Sequence, residues 1–103
     1  MKTPDEIIHQ PVRLKIMAAL NTLDPGQKLE FVALRSIVQA TDGNLGAHLL
    51  TLETAGYVVM KKDFVGKKPR TRVSISPAGR LTFARYVSTL QAILAPTLPG
   101  PDN

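Results

Sequence analysis

The sequence predicts an α+β fold, mainly α, with a β-hairpin between the third helix and the last. Three observations predict it. Apolar residues recur at helical spacing in four separate segments. Between the third and fourth of these, residues 57–75 turn β-branched and alternating. The chain has 103 residues, 44% of them hydrophobic, which suits one domain with a single core.

The first periodic segment runs from about Val12 to Leu23. Pro11 suits its first turn, where a missing N–H costs nothing. At 100° per residue, Val12, Ile16, Ala19, Leu20 and Leu23 share one face, while Leu14 and Met17 fall on a second. Asp24-Pro25-Gly26 stops the helix, and Lys28-Leu29-Glu30 reads as a brief strand. Phe31, Leu34 and Val38 then mark a short amphipathic helix. Thr41 and Asp42 are capping residues for a third helix over about 42–55, carried by Leu45, Leu49 and Leu52 and ended at Gly56.

Tyr57-Val58-Val59-Met60 opens a strand that continues to Phe64-Val65. Val65-Gly66-Lys67-Lys68-Pro69 reads as a turn of about five residues. Beyond it Thr71, Val73 and Ile75 alternate with Arg70, Arg72 and Ser74. Ser76-Pro77 opens the last helix, about 77–94, whose wide stripe joins Phe83, Val87, Leu90 and Leu94 to Tyr86 and Ile93. Residues 95–103, with three prolines and no periodicity, read as a disordered tail to a domain over 1–94.

Charge is unevenly spread. The formal net charge is +5, yet residues 57–90 set eight Lys and Arg against Asp63 alone. The excess peaks between Lys61 and Arg72, which points to a polyanion partner. With no cysteine, disulfides, zinc ribbons and thiol catalysis are excluded. His9 and His48 fall on different elements, and neither HExxH, GxSxG nor a Gly-rich phosphate loop occurs, so no enzyme, metal or cofactor is expected. The acids and proline of MKTPDEIIHQP argue against a signal peptide, and no apolar run matches a membrane span; a cytoplasmic protein is expected.

Two short helices joined by a tight connection, then a two-stranded ribbon, describe a winged helix-turn-helix. The second helix of the pair is of a width to enter a major groove, and a basic hairpin beside it can neutralise phosphates. Three segments carry a more specific likeness: HQPVRLKIMAAL at 9–20, TDGNLGAHLLTLETAGYV at 41–58 and GKKPRTRVSISPAGR at 66–80. Together they make residues 6–94 resemble the ArsR/MarR superfamily of winged-helix regulators, in its small single-domain branch. The resemblance implies a homodimer that binds double-stranded DNA and regulates transcription, with repression the expected sign. It departs from many relatives at Gly46 and Ala47, where the middle of the recognition helix usually carries longer polar or basic side chains. Nothing in the residues names a small-molecule effector, and the lack of cysteine removes thiolate metal sensing.

The expected DNA-binding residues follow from these placements. In the recognition helix they are Thr41, Gly43, Asn44, Ala47, His48 and Thr51. No Lys or Arg lies between Thr41 and Tyr57, so the commonest guanine contact is missing and base reading falls to Asn44, Thr51 and His48. In the wing, Lys62, Lys67, Lys68, Arg70 and Arg72 are the phosphate candidates. Leu14, Met17, Phe83, Tyr86, Val87, Leu90, Ile93 and Leu94 are the expected dimer interface. Two other readings stand beside this one: a winged helix used as a protein-interaction module, and a non-specific nucleic-acid binder. Single-strand binding would want exposed aromatics to stack on bases, and only Phe64 lies near the basic hairpin.

Overall fold

The computed structural model describes residues 3–95. The elements run α1 (Pro4–Ile8), α2 (Pro11–Asn21), β1 (Leu29–Glu30), α3 (Phe31–Val38), α4 (Asp42–Thr54), β2 (Val58–Val65), β3 (Lys68–Ile75) and α5 (Pro77–Leu94). This is the mainly helical α+β winged-helix architecture that the residue pattern predicts. The tail expected over 95–103 lies, beyond Ala95, outside the described residues.

Helix α1 is additional to the expected elements. Thr3 caps it by accepting from the Glu6 N–H, and Pro4 occupies its first turn. Five residues are too few for a periodic signal, yet they deliver Ile8 to the core at 0% exposure.

Met17 is also fully buried within its own subunit, which corrects its assignment to a dimer face. Helix α2 packs against α1, α3, α4, β3 and α5, so both of its apolar faces are covered by the same chain. Leu14 is half-buried against that core. Ile16, Leu20, Leu34, Leu45, Leu49, Leu52 and Val73 complete the fully buried set.

The sheet has three strands in the order β1-β3-β2, all antiparallel, and not the two of the expected ribbon. Strand β1 pairs Leu29 with Val73 and Glu30 with Arg72. The wing loop is two residues, Gly66 and Lys67, because Val65 pairs with Lys68 and Phe64 with Pro69. Gly66 has φ +63°. Glycine at the first loop position, alone in positive φ, is the pattern of a type II′ hairpin, whose twist matches its strands. Pro69 is tolerated in the ladder because β1 stops short of it, leaving no partner on its other edge.

Helix α5 is anchored at its start. The Ser76 hydroxyl donates to the Gly56 carbonyl at 2.6 Å and accepts from the Gly79 N–H at 2.9 Å. A Cβ on Gly79 would lie 2.2 Å from the Tyr57 carbonyl oxygen, so only glycine permits this approach. Arg80 then donates to the carbonyls of Asn21 and Leu23 at the end of α2. Further along, Phe83 and Tyr86 rest partly buried on the core and Val87 is half-buried, while Leu90, Ile93 and Leu94 are exposed. The radius of gyration is 15.6 Å, with extents of 62 × 31 × 25 Å. A compact chain of this length would have about 13 Å. The subunit is therefore elongated.

Candidate nucleic-acid interface

Helices α3 and α4 are joined by Gln39, Ala40 and Thr41, with Gln39 in the left-handed region at φ 56°. Arg35 of α3 forms an ion pair with Asp42 in the first turn of α4, where a carboxylate also suits the helix dipole. The Thr41 hydroxyl accepts from the Asn44 N–H at 3.1 Å. Thr41 therefore serves as the N-cap of the helix.

Leu45, Leu49 and Leu52 fasten the inner face of α4 to the core. Two ridges lie outside them at i, i+4, i+7 spacing. One is Gly43, Ala47 and Leu50, all exposed, with Leu50 at 59%. The other is Asn44, His48 and Thr51. Asn44 is exposed and its side-chain amide has no hydrogen-bond partner among the described residues. The Thr51 hydroxyl donates to the Ala47 carbonyl at 3.2 Å, so what remains outward is an acceptor and a methyl group. His48 is half-buried, with Nδ1 3.2 Å from Nη1 of Arg13. Burial first, and the Arg13 charge second, hold its pKa below the usual histidine value. Arg13 is itself 9% exposed and its Nε donates to the Ile7 carbonyl, so it is a buried linker between α1, α2 and α4. At Gly46 an added Cβ would meet nothing within 4 Å, so no neighbour in the subunit explains that glycine by packing.

The wing has two chemically different faces. Lys62 and Phe64 share the face of the buried Val58, and α4 packs against β2. Lys61, Asp63, Arg70 and Arg72 lie on the opposite face, Lys61 beside Arg72 and Asp63 beside Arg70. There Arg70 grips Asp63 through both prongs, at 2.9 and 2.8 Å, and Arg72 donates to the same carboxylate at 2.9 Å. The hydrogen bond from Arg70, with the charges of both arginines, pulls the Asp63 pKa down to about 2. Nε of Arg72 is buried and has no hydrogen-bond partner among the described residues. Lys67 and Lys68 are exposed at the loop.

The expected site residues therefore divide. Thr41, Gly43, Asn44, Ala47 and Thr51 are collected on the outer side of α4, with His48 at its margin. Lys62 lies on the sheet face that carries the buried Val58, and Lys67 and Lys68 lie at the wing tip. Arg70 and Arg72 lie on the opposite face of the wing from Lys62, tied to Asp63. Two structural roles escaped sequence reasoning, the clamp at Asp63 and the burial of Arg13, which the sequence offers only as a DNA-backbone contact from the first helix. Asp63 carried a signal, as the lone acid of a basic segment. Arg13 carried none, because its burial depends on α1. No helix among the described residues is long and apolar enough to cross a membrane.

Residues 12–94 match the model of a family described as the winged helix DNA-binding domain. A relative from Methanocaldococcus jannaschii, the uncharacterized protein MJ0432, is 37% identical over 82 residues, covering 80% of this chain and 86% of its own. Among solved structures, the transcriptional regulator homologue protein from Pyrococcus horikoshii OT3 superposes with a TM-score of 0.78 at 34% identity, covering 88% of this chain and 87% of that one. A structure described as a possible transcriptional regulator for arsenical resistance gives 0.69 at 17% identity, covering 97% of this chain and 100% of its own, a likeness of fold alone. The capped helix pair, the hairpin behind it and the family match agree: this chain is a member of the winged helix DNA-binding domain family and is similar to transcriptional regulators.

Proposed function

We propose that this protein binds double-stranded DNA as a homodimer and regulates transcription, as a repressor. The observation that carries the reading is the outer side of α4. It holds an Asn44 unpartnered among the described residues, small residues around it and no charge, and the wing that follows it in the chain carries the exposed Lys62, Lys67 and Lys68. In the major groove, Asn44 suits adenine, and Ala47, Leu50 and the Thr51 methyl suit thymine methyl groups. The preferred half-site is therefore rich in A·T pairs. Lys62, Lys67 and Lys68 hold phosphates, and Arg70 and Arg72 contribute less because both are already paired with the Asp63 carboxylate.

The exposed end of α5 supports the dimer. Leu90, Ile93 and Leu94 continue the stripe begun by Phe83, Tyr86 and Val87 on a helix that leaves the core. A two-fold pairing there would present two α4 helices to one side of a duplex, and symmetry then calls for an inverted repeat. The test is a titration of labelled duplex from the gene's own upstream region against random competitor, at two salt concentrations, with sedimentation of the free protein. A dimer that prefers its own duplex is expected. Equal affinity for every sequence would leave only a non-specific binder, and no binding at low salt would favour a protein-interaction module.

A further inference from the structure

Arg13 is the anomaly of the core. Its charge is 9% exposed and has no carboxylate partner among the described residues. Burying a cation without an anion is costly. Its bonds run instead to the Ile7 carbonyl and to Nδ1 of His48. A guanidinium only donates, so Nδ1 must accept. That leaves the His48 ring neutral, with its proton on Nε2. The depressed pKa of His48 agrees with this state.

We propose that Arg13 is a positioning residue that fixes His48 as an Nε2–H donor for reading a base acceptor in the major groove. The inference rests on the DNA-binding reading above and deepens it at one residue. Asn44, His48 and Thr51 form one ridge, and the other two members supply an amide and an acceptor with a methyl. His48 adds the fixed donor, matched to guanine N7 or O6 or to thymine O4. A histidine with an unfixed ring exchanges between donor and acceptor at Nε2 and discriminates less well. The buried arginine removes that freedom from beneath the helix.

The test uses the full chain and a duplex selected by the wild-type protein from a random pool, with a scrambled duplex of the same composition as reference. Nitrogen-15 shifts of the free protein at neutral pH report which ring nitrogen carries the proton. The expected result is Nε2–H with Nδ1 accepting, perturbed in Arg13→Met. His48→Asn keeps an acceptor near Nδ1 but nothing near Nε2, and should lose about tenfold in preference for the selected duplex. His48→Gln places an amide N–H near Nε2 and should stay within about threefold of wild type. Arg13→Met should lower preference like His48→Asn, with affinity for the scrambled duplex unchanged. If it does not fold, the Asn and Gln pair decides. A proton on Nδ1, equal behaviour of Asn and Gln, or a uniform loss on both duplexes would overturn the inference. Failure of the wild-type protein to select any sequence would instead overturn the DNA-reading function, and the ring measurement would still decide the Arg13–His48 lock.

Discussion

Asn44 and Thr51 differ in what their hydrogens already do, and their variants should differ accordingly. The Asn44 amide is uncommitted, so Asn44→Ala should cost about 1–3 kcal/mol of discrimination at one base position, read by competition among single-base variants of the preferred duplex. The Thr51 proton is spent on its own helix, so Thr51→Val should keep the thymine contact and change preference little. Two helical glycines separate as sharply. Gly46→Ala meets nothing within 4 Å and should stabilise the fold by about 1 kcal/mol. Gly79→Ala drives a Cβ into a backbone carbonyl and should destabilise it by about 1–3 kcal/mol or more. Chemical denaturation measures both. For His48 the folded pKa lies below the unfolded one, so the unfolded chain takes up the proton first as pH falls. Stability should therefore drop as pH falls below about 6.5, and less so in His48→Gln, as melting temperatures at pH 7.5 and 5.5 will show.

At the scale of elements, the wing was legible as a hairpin but not as a two-faced one. Strand alternation correctly separated Thr71, Val73 and Ile75 from Arg70 and Arg72. It gave no sign of which face stands on the side of α4, because that depends on how β2 packs against the helices. The turn is two residues where the sequence predicts about five, since Lys68 and Pro69 look like loop residues and are held in the ladder by Val65 and Phe64. Asp63 makes the wing a restrained cationic element. Its pKa of about 2 keeps the clamp intact at neutral pH, with its contribution to stability lost only as pH falls from about 4 toward 2. Asp63→Asn should release both arginines, raise affinity for all duplexes alike and steepen the salt dependence. An unchanged salt slope in that variant would show that the arginines stay out of reach of phosphate.

For the molecule as a whole, the order of elements and most of the core could be read from periodicity, because each helix buries one stripe. Met17 could not. A helix wrapped on all sides looks, in sequence, like a helix with two partners, and only the short α1 and the sheet reveal that one chain supplies the wrapping. Arg13 was hidden for the same reason. The proposed pairing surface is the far half of α5, where Leu90, Ile93 and Leu94 are exposed. Ile93 is 63% exposed, so Ile93→Lys should leave the subunit folded and give a monomer by sedimentation. A dimer of wild-type size from that variant would remove α5 from the interface.

The salt dependence of duplex affinity tests the central claim, that the outer side of α4 and the wing lysines act as one DNA-binding surface. Three lysines from each of two subunits predict a slope of log K against log salt near −5, against about −9 if Arg70 and Arg72 also reached phosphate. Changing Lys62, Lys67 and Lys68 together to Ala should flatten that slope almost to zero while the order of preference among sequences survives. A triple variant with the wild-type slope, or a wild-type protein that ignores duplex DNA at low salt, would contradict the account.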